Sequence, residues 1–171
     1  MSRVLIMRGI PGSGKTTEAK RWQRMVPGAV ICSMDNYMFA NGQEFAFDRI
    51  EWCAEQCIRD YTQALKDRAP LVIVDNTNTR FSDMVVYVQL ADQHGYGFTV
   101  LQVHVDPKVA FYRGTHKVPL ESLETGGRRM WSERLPSSWD VWSKGKAWKP
   151  PIVKNTSPQK ARPISIIQGS R

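Results

Sequence analysis

A chain of 171 residues, 42% of them hydrophobic, has the size of one domain with a packed core, and no apolar run approaches the roughly 18 residues of a membrane span. The formal charge of +8 is unevenly placed: residues 128–171 hold ten Lys/Arg against two Asp/Glu, whereas residues 1–127 hold fourteen of each. Three cysteines, Cys32, Cys53 and Cys57, are an odd count that excludes a simple disulfide framework, and metal-spaced partners are missing, so packing is expected of them.

The amino-terminal stretch lacks the small-residue cleavage site of a signal peptide, so a cytoplasmic protein is expected. "RVLIM" (3–7) predicts a buried strand. A Gly-rich loop follows, then a helix that stops at Pro27-Gly28. "AVICS" (29–33) predicts the second strand. Apolar residues at helical spacing predict a helix from Phe47 to about Asp67. "PLVIVD" (70–75) predicts a third strand, residues 81–94 a helix ended by Gly95, and "GFTVLQVHV" (97–105) a fourth strand. Residues 107–131 read as helix, polar loop and short helix, a lid. After Trp139 the chain turns Lys-, Pro- and Trp-rich and loses periodicity, which predicts extended or disordered chain; "ISII" (164–167) alone suits a short edge strand.

Alternating strands and helices predict a three-layer α/β domain on a parallel sheet of four to five strands. Residues 1–135 form the expected domain, lid included, and 136–171 a basic extension. In such sheets ligands bind outside the carboxyl ends of the strands, so each segment following a strand is a candidate.

The first such segment, Gly9-Ile10-Pro11-Gly12-Ser13-Gly14-Lys15-Thr16, matches G-x-x-x-x-G-K-[ST]. Its glycines let backbone N–H groups of Gly9, Gly12, Ser13 and Gly14 curl around a phosphate, and the following helix adds its positive end. Lys15 reaches the β and γ phosphates. Thr16 offers a hydroxyl to Mg²⁺, with Thr17 beside it. ATP and Mg²⁺ are therefore the expected ligands. The length suits a small kinase better than a motor ATPase, and a guanine-reading N-K-x-D motif is lacking.

Asp35 follows the second strand and faces the same crevice by the strand-end rule. There a carboxylate can orient an acceptor hydroxyl and take its proton as it attacks the γ phosphate. The alternative is a turn or cap aspartate, since Asp-Asn is a common turn pair. Asp75 ends the third strand in the place of a Walker-B acid, suited to a Mg²⁺-bound water. Asn76, Thr77 and Asn78 suit either acceptor binding or helix capping, and Arg80 either an acceptor phosphate or solvent.

"GIPGSGKTT", "SMDNYMF", "VDNTNT" and "YRGTHKVP" occur in that order. Over about residues 3–135 this resembles the P-loop kinases related to the kinase domain of T-even bacteriophage polynucleotide kinase and their AAA-like relatives. The resemblance implies that Asp35 is the general base for a polynucleotide 5′-hydroxyl and that Asp75 is functional. It also makes Arg113 a lid arginine that neutralises charge on the transferred group, in the catalytic set with Lys15 and Asp35. Those phage enzymes carry an arginine three residues after the aspartate, where this chain has Met38. The hydroxymethyl group of a modified base in phage DNA is therefore an alternative acceptor, as is a small metabolite or nucleoside. A non-catalytic ATP-dependent binding module is the alternative outside enzymes. His116, Lys117, Arg128 and Arg129 are further lid candidates. Trp139, Trp142 and Trp148 alternate with Lys144, Lys146 and Lys149, an arrangement suited to packing by the indoles and polyanion contact by the lysines. A nucleic-acid acceptor is the expected partner; a membrane is not, and no protein partner can be read.

Overall fold

The computed structural model describes residues 2–151. The expected strand at 164–167 lies outside them, as do the last lysines and arginines of the basic extension. Strands and helices alternate as expected from the sequence up to the fourth strand, with one unexpected single-turn α-helix after the second. Strand β1 (Arg3–Arg8) is followed by helix α1 (Lys15–Met25), β2 (Val30–Cys32), a one-turn α2 (Asp35–Met38) and α3 (Ile50–Lys66). Then come β3 (Leu71–Val74), α4 (Ser82–Gln93), β4 (Gly97–Val103), α5 (Pro107–Arg113), α6 (Leu120–Ser132) and β5 (Val141–Lys144).

The five strands form one parallel sheet in the order β2-β3-β1-β4-β5. Strand β1 is central, pairing Val4 with Val72 on one side and with Phe98 on the other. Its residues alternate between the two faces. Val4 and Ile6 pack with Cys57, Tyr61 and Leu65 of α3 and with Met84, Tyr87 and Ala91 of α4. Leu5 and Met7 pack with Ala19 of α1, and Trp22 lies against that cluster. Helices thus cover both faces, the expected three layers.

The three cysteines are buried and unpaired, and burial pushes the Cys32 thiol up to about 12. They are packing residues.

The sheet is not complete at residue 135. β5 lies inside the segment read as an extension and pairs in parallel with β4, Val100 opposite Val141. The segment is anchored at both ends of its strand. Arg3 pairs with Asp140 at 2.7 Å, Thr99 bonds the same carboxylate at 2.7 Å, and Lys144 pairs with Glu18 of α1. Lys144 is therefore held by the domain. Trp139 packs on Phe81 and Phe98, and Trp142 lies 6.2 Å from Trp22.

Candidate active site at the phosphate loop

The loop between β1 and α1 closes on itself. Gly12 and Gly14 have φ of +75° and +97°, a left-handed conformation that favours glycine. A Cβ on Gly12 would lie 2.5 Å from the carbonyl of Ala110, so α5 abuts the loop. Gly9 N–H, expected to face a phosphate, instead donates to the Thr77 carbonyl at 2.8 Å and ties the loop to the turn after β3.

Lys15, the first residue of α1, is buried, and its Nζ donates back across the loop to the Ile10 carbonyl at 3.0 Å. Burial pulls its ammonium down to about 8, opposed first by Asp75 and then by Asp35. Asp75 is also buried; burial raises its carboxyl, while the Thr16 hydrogen bond and the Lys15 charge hold it down. Asp35, exposed at the start of α2, also acts on Asp75. Lys15, Asp75 and Asp35 thus form one electrostatic group at the carboxyl ends of β1, β3 and β2, with Thr16 and Thr17 exposed on the first turn of α1.

Among the described residues, two buried side-chain polar atoms have no hydrogen-bond partner, Ser13 Oγ and Asp75 Oδ1. Such atoms are costly unless a ligand satisfies them. An acid with a spare oxygen beside a threonine hydroxyl fits Mg²⁺, which is held by one or two protein oxygens together with phosphates and waters. No cluster of three His, Cys, Asp or Glu suited to a metal occurs among the described residues, so an all-protein cage is not offered there.

A short relay positions Asp35. Its N–H donates to Ser33 Oγ at 3.2 Å, and Ser33 Oγ donates to the Asp75 carbonyl at 2.8 Å. Met34 N–H donates to Asn76 Oδ1 at 2.9 Å, and Asn76 Nδ2 donates to the Tyr87 hydroxyl at 3.2 Å and to Cys57 Sγ at 3.5 Å. Asn76, read as an acceptor-binding residue, is thereby engaged in holding the base of α2. Asn78 is buried at φ +46°, donating to the Met7 carbonyl at 2.7 Å, and holds the loop in the same way. Arg80 is exposed beyond them.

Met38 does not line the crevice. It is 3% exposed, its Sδ accepts the Ala46 N–H at 3.5 Å, and Arg49 donates to its carbonyl at 2.8 Å. Its side chain anchors the turn below α2.

The segment read as a lid is a helical pair. Asp106 caps α5 by accepting the Lys108 N–H at 2.8 Å, with Pro107 at the first helical position. Arg113 is exposed in the last turn of α5. The His116 ring stacks on Phe39 at 4.1 Å and 9°, so the loop between α5 and α6 meets the segment that follows Asp35. Lys117 and Arg129 are exposed, and Arg128 pairs with Glu124 at 3.2 Å.

Sequence reasoning passed over Arg8 and the glycine pair of α6. Arg8 is 1% exposed and donates to the carbonyls of Asn78 and Thr79 at 3.2 and 3.0 Å and to Gln102 Oε1 at 2.6 Å, with Glu133 3.5 Å away. It joins β1, the turn after β3, β4 and the end of α6. A Cβ on Gly126 would meet Ile10 at 3.0 Å, and one on Gly127 would meet the Trp148 ring at 2.9 Å. Close backbone approach at both positions seats α6 between the phosphate loop and the segment after β5.

A family model described as an AAA domain matches residues 4–119. The human NEDD4-binding protein 2 is 33% identical over 98 residues, which cover 54% of this chain and 5% of that protein. A chain in the structure of the Pnkp1/Rnl/Hen1 RNA repair complex superposes with a TM-score of 0.62 at 18% identity, covering 76% of this chain and 44% of its own. Chaetomium thermophilum Kti12, in complex with ADP-AlF3, gives a TM-score of 0.60 at 18% identity, covering 82% and 88%. The chain thus spans less than half the length of the first two. At these identities the two structures carry the fold alone. No helix among the described residues is long and apolar enough to cross a membrane.

Proposed function

The chain belongs to the AAA domain family, as a nucleotide-binding, kinase-like P-loop domain, and on that premise we propose that it transfers the γ-phosphoryl group of ATP to a hydroxyl on nucleic acid. The observation that carries the reading is the grouping of Lys15, Asp75 and Asp35 at the mouth of the phosphate loop.

In this reading the backbone N–H groups of residues 12–16 and the Lys15 ammonium hold the β and γ phosphates. Ser13 Oγ, lacking a partner, is one more donor for them. Thr16 and Asp75 would hold Mg²⁺, which would supply positive charge to the phosphate oxygens. Asp35 accepts the proton of the acceptor hydroxyl as its oxygen bonds to the γ phosphorus. The bond from that phosphorus to the bridging oxygen breaks, and ADP leaves with the electron pair. Arg113, on the lid, neutralises charge on the transferring group. Asn76 and Ser33 are positioning residues that fix the direction of Asp35.

The finer likeness to phage polynucleotide kinases rests on the order of the four motifs around Asp35, Asp75 and Arg113. Incubation with γ-labelled ATP, Mg²⁺ and a panel of 5′-hydroxyl DNA, 5′-hydroxyl RNA and hydroxymethylated DNA tests the reading. Label on at least one polymer is expected. Label on none of them rejects a nucleic-acid acceptor.

A further inference from the structure

A cavity of about 500 Å³ opens at the carboxyl ends of β1 and β4, walled by the end of α6 and the segment after β5. Along β1, Arg8 shares the face of Val4 and Ile6, which pack against α3 and α4. The cavity floor formed by Arg8 and His104 therefore lies across the sheet from α1, whose first turn the phosphates occupy in the reading above. Nothing in that reading uses it.

Its wall combines indoles with cations. The Trp148 ring abuts Gly127, and Trp131 stands 49% exposed at the mouth. The Lys149 ammonium sits 5.9 Å from the Trp131 ring centroid. Arg129, Arg134, Lys146 and Lys149 are all exposed on these two segments. The two acids of the same stretch are already engaged, Glu133 with Arg8 and Asp140 with Arg3. Burial, and then the charge of Arg8, hold His104 below the usual imidazole value, so the floor adds a neutral ring.

We infer that this cavity seats an unpaired nucleotide of a nucleic-acid strand, its base against Trp131 and its backbone phosphates toward Lys149 and Arg134. A half-exposed indole with a lysine over its ring, beside cations that no acid engages among the described residues, is the pairing that grips single strands, since every base has a face to stack and every linkage a negative charge. An acidic peptide would satisfy the cations and leave the indole uncovered. The inference rests on the proposal of a nucleic-acid acceptor and adds a holding point for the strand in a cavity that Ile10 of the phosphate loop borders on one side.

The test measures fluorescence anisotropy of labelled ten-nucleotide oligo-dT and oligo-rU with the full chain, its Trp131→Ala variant and its Trp131→Phe variant. The native chain is expected to bind at least one oligomer. Trp131→Ala should weaken binding about tenfold, as loss of one stacked base does, and Trp131→Phe should restore most of it. Fluorescent-ATP affinity and thermal unfolding should match the native chain in both variants, because Trp131 is exposed. Equal affinity of native and Trp131→Ala chains overturns the inference, as does failure of the native chain to bind either oligomer. Displacement by polyglutamate as effective as by unlabelled oligomer at equal charge also overturns it and points to an acidic protein segment. Trp131-dependent binding without phosphoryl transfer would remove only the catalytic reading, whereas transfer with Trp131-independent binding would remove only this inference.

Discussion

Asn76 Oδ1 accepts the N–H of Met34 at 2.9 Å, so the end of β3 holds the turn from which Asp35 projects. The nucleotide side and the proposed acceptor side of the crevice are thereby built on one frame. The same β3 end carries Asp75, and Ser33 closes the frame by bonding the Asp75 carbonyl.

Replacement of Asn76 by Ala should show this coupling. It leaves Met34 N–H without its acceptor and removes the donor to Tyr87 and Cys57. A stability loss of about 1–3 kcal/mol is expected from the unpaired groups, together with a fall in kcat. ATP affinity should hold, because the phosphate loop is untouched. Thermal unfolding and steady-state kinetics on one preparation check both halves.

The pH dependence of ATP binding follows from Lys15. Its folded-state value of about 8 lies below that of a free lysine, with burial as the leading cause. The ammonium is charged at pH 7 and is lost as pH rises through 8. Bound phosphates favour the charged form, so the complex holds the proton more tightly than the free protein. Affinity should be full below pH 8 and fall by up to about tenfold per pH unit above it. Titrations with a fluorescent ATP from pH 6.5 to 9.5 measure this; a flat profile contradicts it.

Gly127→Ala has a sign that discriminates. In an exposed helix the change would stabilise by about 0.5–1 kcal/mol. Here the new methyl meets the Trp148 ring at 2.9 Å, and overpacking costs about 1–3 kcal/mol. The midpoint of thermal unfolding should drop. A rise would mean that Trp148 does not rest on α6.

Arg8→Met should be costly for a different reason. It removes the donors to two buried carbonyls and to Gln102, and leaves Glu133 without its cation. A loss of about 3 kcal/mol or more is expected. Urea unfolding of the variant against the native chain gives the number.

The legible parts of the sequence are those where local chemistry dictates residue type. The phosphate loop needs glycines at positive φ, and Gly12 and Gly14 show them. The buried strands need apolar runs, and β1 and β3 have continuous ones, while β4 has an apolar run broken only by Thr99 and Gln102. β5 was not legible, because Val141-Trp142-Ser143-Lys144 is a mostly exposed edge strand within a Lys- and Trp-rich stretch. Asn76 and Asn78 look like acceptor contacts or caps in sequence, and their partners, Met34 and Met7, are long-range. Arg8 reads as the charged end of a strand; only the fold surrounds it with carbonyls. Met38 shows the same limit, since a substitution within a motif does not reveal that the position faces the core.

The most direct measurement is made on Asp35→Asn, which keeps the shape of the side chain and removes its capacity to accept a proton. Asp35 is exposed and bonds through its backbone N–H, so the fold should persist. ATP affinity should stay near the native value, while phosphoryl transfer to the nucleic-acid acceptor falls about 10²–10⁴-fold. Transfer at the native rate by a variant that binds ATP normally would contradict the role of Asp35 as the base.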